Sequence, residues 1–326
     1  MIVFLFLATR NGVRTFERQS EVWHEVTHTL AARQVTSISV QGNTLLAGTT
    51  DGVFCSDDLG RRWRPASVGM TTAHVRWVGY HPERPGVALV GTEPATIFRT
   101  DDDAKTWHEC PEVARLRDEN RWYLPYSPEA GCVRGFAFHG DRAYAAVEQG
   151  GLLRSDDCGQ TWRLAKGSSG DPHEPLPEGF VHNDVHSVAV HPSSPDLVVA
   201  PTGGGLYRSV DGGGTWTHLY QCYCRAVWVD PDDTGYMVFG PADGVDENGR
   251  IEVTFDGGAS WHPATDGLNG PWPRHMVERF VRLGDDLLAV LSNGHVITTS
   301  LENLTWQRIL PEIDDVLAAA VAQVEK

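Results

Sequence analysis

The sequence predicts an all-β fold, a seven-bladed β-propeller of four-stranded antiparallel blades, and three observations predict it. Seven tryptophans, Trp23, Trp63, Trp107, Trp162, Trp216, Trp261 and Trp306, are separated by 40, 44, 55, 54, 45 and 45 residues. Self-similarity at that period is the signature of one four-stranded blade per repeat. The blocks ending at Trp63 (LLAGTTDGVFCSDDLGRRW), Trp162 (AYAAVEQGGLLRSDDCGQTW) and Trp216 (LVVAPTGGGLYRSVDGGGTW) share one order: an apolar run, a Gly-rich turn, a second strand and a Ser-x-Asp-x-Gly-x-x-Trp hairpin. Each interval also carries one more strand upstream, beginning at Val35, Val75, Val133, Val185, Cys224 and Val277.

Six such strands serve seven outer units, because the chain opens directly on the apolar run 2–8 and its first blade lacks an innermost strand. The C-terminal Val316-Leu-Ala-Ala-Ala-Val matches the missing strand. Residues 314–324 are therefore expected to pair into the first blade and close the ring, which removes the open sheet edges that invite aggregation. Alanine, leucine and glutamate in the same segment also suit an amphipathic helix; completion of the ring favours the strand. The whole chain, 1–326, reads as a single propeller.

Four hairpins, Ser56 to Trp63, Ser155 to Trp162, Ser209 to Trp216 and Thr254 to Trp261, resemble the Asp-box of BNR-repeat propellers. A fifth, Thr100 to Trp107, has Ala104 in place of glycine, and the copies before Trp23 and Trp306 have lost the Asp and Gly. Asp and Ser/Thr oxygens in such a turn accept backbone N–H bonds, glycine supplies positive φ, and the Trp ring packs on the neighbouring sheet. The resemblance implies that these hairpins join third and fourth strands on the outer rim, so Asp58, Asp157, Asp211 and Asp256 are expected to be structural. The family spans sialidases, xyloglucan hydrolases, sortilin-type receptors and photosystem assembly factors, and fold does not choose among them. Its sialidases are six-bladed with an Arg-Ile-Pro motif; this chain shows neither, so no sialidase mechanism carries over.

Composition narrows the partners. Against 27 basic residues stand 43 acidic ones, for a formal charge of −16, which repels nucleic acid and anionic membranes. The opening apolar run lacks a basic flank and reads as a strand rather than a signal peptide, and no apolar run approaches the roughly 20 residues of a membrane span. With no export signal, the six cysteines are expected to be reduced thiols in a cytoplasmic protein.

Ligands of propellers sit at the mouth of the central channel. The residue following the aligned apolar position of each innermost strand is Thr36, Arg76, Arg134, His186, Arg225, Glu278 and Leu317 in turn. Just ahead of the strands lie His74, Cys132, His182, Asp184, Cys222 and His275, and Arg279 stands where the other blades are expected to place small residues. Arginine forks match carboxylate and phosphate, so the expected ligand is a small anionic or sugar-like molecule, bound by Arg76, Arg134, Arg225, Arg279, His74 and His275. The competing reading pairs each arginine with a carboxylate such as Asp184, Glu278 or Asp315. If the site is catalytic, a hydrolase of glycosidase type is expected, with His186 or His182 as general base, Glu278 as alternative acid or base, and the arginines stabilising developing charge. The alternative is a non-catalytic scaffold that uses the same face to bind a protein partner.

No cofactor is called for. His74, His182, His186, His275, Cys132, Cys222 and Cys224 are metal-capable, yet their spacing fits no closed motif and no metal site is assigned. The acidic turn of Asp243, Asp246 and Glu247 could take calcium but reads more simply as solvated. Two long loops, 111–131 and 165–183, precede innermost strands and should fold over the mouth, where Tyr123 and Tyr126 would stack on a sugar or flat ligand.

Overall fold

The computed structural model describes residues 2–20 and 22–324. Seven four-stranded antiparallel sheets form the ring. The innermost strands, in ring order, are Val316–Val324, Val35–Gln41, Val75–Tyr80, Cys132–His139, Ala189–His191, Tyr223–Val229 and Val277–Leu283; the blades are numbered 1 to 7 in that order. Blade 1 is completed from both ends of the chain. Val316–Val324 pairs with Ile2–Thr9 from Ile2 against Val324 to Ala8 against Ala318. Alternation along the closing strand settles the strand-or-helix choice physically: Val316, Ala318, Ala320 and Ala322 are buried while the residues between them are less so, a period of two that a helix cannot present.

Second strands are the most buried elements, because both their faces meet a neighbouring blade. Leu45, Leu46 and Ala47 of blade 2, and Ala143, Tyr144, Ala145, Ala146 and Val147 of blade 4, are fully enclosed. Each buried aliphatic side chain of this kind contributes about 1.5–3 kcal/mol relative to exposure. Three blades narrow the gap to the next one with a glycine. A Cβ on Gly48, Gly91 or Gly240 would lie 2.5 Å from Val75, Val133 or Val277 respectively, the residue that opens the adjacent innermost strand. The fit seats each inner strand against its predecessor.

The rim hairpins repeat one hydrogen-bond scheme. Gly60, Gly159, Gly213 and Gly258 each donate their N–H to the hydroxyl of Ser56, Ser155, Ser209 or Thr254 at 2.9 Å. In the same turns Asp58, Asp157, Asp211 and Asp256 accept the backbone N–H four residues on at 2.8–2.9 Å. Ala104 keeps the scheme without glycine at φ +56°, donating to Thr100 Oγ1 at 3.2 Å.

The segment 111–131, expected as a loop, contains the helix Pro111–Glu119, with proline in its first turn and Val113 and Leu116 buried between blades 3 and 4. Its continuation is tied to the second long loop. Trp122 is buried and donates Nε1–H to Gly170 O at 2.7 Å, and His173 bonds Arg121 O at 2.9 Å. All six cysteines are buried and unpaired. Among the described residues no helix is long and apolar enough to cross a membrane.

Candidate functional site

Six innermost strands slip register at the same place. The pairing skips Thr36, Arg76, Arg134, Glu278 and Leu317, and in blade 6 the pair Arg225 and Ala226. Such bulges re-aim a side chain out of the ladder, and these side chains, aligned in sequence, converge at one end of the channel. Arg76, Arg134, Arg225, Glu278, Thr36 and Leu317 line a single cavity of about 500 Å³ together with Arg279, Trp77, Tyr126 and Arg10.

Glutamates partly neutralise the arginines. Arg76 Nη1 pairs with Glu93 Oε2 at 3.0 Å, and Arg134 Nη1 with Glu148 Oε2 at 2.8 Å. Glu278 bonds Arg225 through Oε1 and reaches Arg134 Nη2 through Oε2 at 3.7 Å. The carboxylates are thus Glu93, Glu148 and Glu278; Asp184 pairs instead with His186, and Asp315 offers its carbonyl to the Arg10 N–H. Burial opposes ionisation of Glu148, but the adjoining Arg134 charge outweighs it and holds the carboxyl down at about 2. Burial likewise opposes the Glu278 charge, and Arg225, Arg134 and Arg279 hold its carboxyl below the usual range.

Arg279 is different. Among the described residues it makes no ion pair; its guanidinium donates to three main-chain carbonyls, Glu278 O at 2.8 Å, Arg134 O at 3.0 Å and Arg225 O at 3.4 Å, and lies 4.7 Å from the Trp77 ring. Burial, then the Arg134 charge, pull its pKa down to about 9, with Glu278 acting against them. The position after the bulge is small in the other blades but is Trp77 in blade 3 and Arg279 in blade 7, and the two large side chains pack on each other. Exposed Tyr126 and Val245 form an apolar edge to the mouth.

Other expected site residues lie elsewhere. His186 is completely buried, with Nδ1 on Cys224 O at 2.8 Å and its ring 4.8 Å from Tyr223. The segment entering blade 5 meets the second strand through the isolated bridge Val185 to Thr202 and the His186 N–H to Pro201 O bond at 3.0 Å, and its strand begins only at Ala189, so the residue aligned with the mouth positions of other blades is buried here. His182 accepts the Asp184 N–H at 3.1 Å beside Gly204. His275 stacks on Trp272 at 4.9 Å. His74 offers its carbonyl to the Glu93 N–H at 3.0 Å. Tyr123 packs on His173 at 5.5 Å. None of these five lines the cavity. The metal-capable set His74, His182, His186, His275, Cys132, Cys222 and Cys224 is not drawn together among the described residues; a tight group forms instead from Glu148, Asp184 and His186. In the acidic turn, Asp243 is taken up by Arg250 and Asn248 at 3.1 and 3.0 Å, while Asp246 lines the mouth.

No family model matches the chain. It is 24% identical over 215 residues to a xyloglucanase of Hypocrea jecorina, covering 61% of this chain and 23% of that protein. It is 27% identical over 157 residues to the photosystem II assembly protein Ycf48 of Synechococcus, covering 40% of this chain and 45% of that protein. The chain therefore spans less than half the length of either relative. Among solved structures, one titled Ycf48 bound to D1 peptide superposes with a TM-score of 0.61 at 15% identity over 91% of this chain and 88% of that one. The fold is that of a seven-bladed propeller similar both to a glycosidase and to an assembly factor.

Proposed function

We propose that the channel mouth recognises an anionic group, a carboxylate of a small acid or acidic sugar, and that binding rather than acid–base chemistry is its role. The observation that carries this reading is Arg279, a cation held in the mouth by carbonyls alone while the bulge arginines Arg76, Arg134 and Arg225 each have a glutamate. A desolvated guanidinium without a counter-charge is costly to bury, and an incoming carboxylate would supply that charge in a matching fork geometry. Trp77 and Tyr126 provide apolar surface beside it for the rest of the ligand.

A hydrolase needs a group able to exchange a proton near neutral pH within reach of substrate. Glu278 is held ionised by two arginines, and His182 and His186 are turned away from the cavity, so the arrangement supports a binding module better. A protein partner presenting an acidic segment is the second reading, favoured by the similarity to Ycf48, which has been solved with a peptide bound. In either reading the Ser/Thr-x-Asp-x-Gly hairpins are Asp-box turns that brace the ring, and the buried, unpaired cysteines suit a reducing, cytoplasmic setting.

Calorimetric titration of wild type and Arg279→Gln with glucuronate, galacturonate, citrate and a Glu-rich peptide tests the proposal. Binding of one acid that Arg279→Gln loses supports the small-ligand reading. Binding of the peptide alone supports the protein-partner reading. Equal binding by both proteins refutes a role for the mouth.

A further inference from the structure

Behind Arg134 lies a second polar group that the anion reading does not use. Glu148 ends the second strand of blade 4, and Asp184 and His186 stand on the segment entering blade 5. One donor atom from each lies within 4.8 Å of the others. The side chains are 5, 13 and 0% exposed respectively.

The hydrogen bonding leaves this group incomplete. His186 Nδ1 faces the carbonyl of Cys224 at 2.8 Å, which can only accept, so Nδ1 carries a proton and Nε2 is the ring nitrogen open to a metal ion when the ring is neutral. Nε2 lies 3.3 Å from Asp184 Oδ2 and 3.3 Å from the Tyr223 hydroxyl. The other carboxylate oxygen, Asp184 Oδ1, is buried with no hydrogen-bond partner. Glu148 gives one oxygen, Oε2, to Arg134. Gly203 makes the room, since a Cβ there would lie 2.2 Å from Asp184 Oδ2. A positively charged species between the three donors would satisfy all of them.

We propose that Glu148, Asp184 and His186 bind a divalent transition-metal ion of the Zn²⁺ or Mn²⁺ class, with two oxygen donors and one nitrogen donor. Donor atoms 3.3 Å apart, as His186 Nε2 and Asp184 Oδ2 are, match the edge of a tetrahedron whose metal–ligand bonds are about 2.0–2.1 Å. The Asp184 carboxylate, together with the Glu148 carboxylate shared with Arg134, offsets part of a double positive charge, and the imidazole adds a neutral donor. The Nδ1–H bond to a main-chain carbonyl is the outer support that metal-binding histidines have. A nitrogen donor and only two carboxylates disfavour Ca²⁺ and Mg²⁺, which take oxygen ligands. Tyr223 Oη, 3.3 Å from His186 Nε2 and from Arg225 Nε, connects this group to the mouth. None of the three donors lines the cavity, so the site stands apart from the anion reading.

The test is titration of the full chain, stripped with EDTA and desalted, with Zn²⁺, Mn²⁺, Ca²⁺ and Mg²⁺ by calorimetry. One equivalent of Zn²⁺ or Mn²⁺ should bind, with Ca²⁺ and Mg²⁺ at least tenfold weaker. Asp184→Asn and His186→Gln should each weaken it at least tenfold, while His24→Ala on the exposed outer strand of blade 1 should not. Absence of stoichiometric binding, or unchanged binding in Asp184→Asn, would overturn the proposal in favour of an imidazolium–carboxylate pair. Because the fully buried His186 is a risky position to vary, the Co²⁺ complex of the wild type gives an independent reading. Its absorption should lack a thiolate-to-metal charge-transfer band; such a band would place the ion on Cys132, Cys222 or Cys224 and overturn the assignment.

Discussion

Arg279 Nη2 donates to the main-chain carbonyl of Arg134 at 3.0 Å, joining blade 7 to blade 4 across the central channel. The same guanidinium bonds Arg225 O of blade 6 and lies over Trp77 of blade 3. One side chain thereby touches four of the seven blades at the floor of the mouth. Its charge, unmatched by any carboxylate bond, sits where a ligand must arrive.

Arg279→Lys should therefore fail to substitute. Lysine keeps the charge but cannot fork toward three carbonyls and an aromatic face at once. Loss of these bonds should lower stability by about 1–3 kcal/mol in urea unfolding, and anion affinity should fall with it.

Glu278→Gln separates binding from catalysis. Removing the carboxylate frees Arg225 and raises the positive potential of the mouth, so anion affinity should rise about tenfold by calorimetry, the effect of one charge a few ångströms away at an intermediate dielectric. If Glu278 were instead an essential proton donor, ligand affinity would stay near the wild-type value and a turnover present in the wild type would vanish.

Arg134→Gln strands Glu148 in the interior. At neutral pH the loss should be about 3–5 kcal/mol, as for a buried pair with one partner removed. The pH dependence should change sign at this residue. In the wild type the Glu148 carboxyl, ordinarily near 4.5, is held at about 2, so its contribution is present above pH 4.5 and lost as the pH falls toward 2. Without Arg134, burial pushes the carboxyl up, and protonation on acidification should recover stability. The difference in urea midpoint between the two proteins should narrow between pH 7 and pH 4.

Gly91→Ala tests how closely the blades are seated. The new methyl would lie 2.5 Å from Val133 Cβ and 3.0 Å from Val133 O, so a backbone atom blocks relief. Thermal or urea unfolding should show a loss of about 1–3 kcal/mol.

Trp122→Phe keeps an aromatic ring, though a smaller one, and leaves the buried Gly170 carbonyl without its donor. The expected loss is about 1–3 kcal/mol, with faster proteolysis confined to the segments 120–131 and 165–183.

The ring was legible in the sequence because every blade repeats its tryptophan, and the mouth was legible because the bulge falls at the same aligned position. That regularity places Arg76, Arg134, Arg225 and Glu278 around one cavity. It does not bring His186 to the cavity, because blade 5 begins its innermost strand only at Ala189 and His186 lies buried ahead of it. Glu93 and Glu148, the partners of two arginines, escaped notice at the ends of second strands that otherwise read as apolar core. A polar residue closing such a strand, opposite an inner-strand arginine, was the available signal. The helix Pro111–Glu119 also carried its signals in advance, proline and Glu112 in the first turn with Val113 and Leu116 three apart, but the blade period drew that segment as a loop.

The most direct test of the anion reading is a crystal structure of the protein soaked with the tightest-binding acid from the calorimetric panel. The carboxylate should lie in the channel mouth, bonded to the Arg279 guanidinium and flanked by Trp77 and Tyr126. A ligand found instead on the rim beside Arg154, Arg163 and Lys166, with the mouth unchanged, would contradict it.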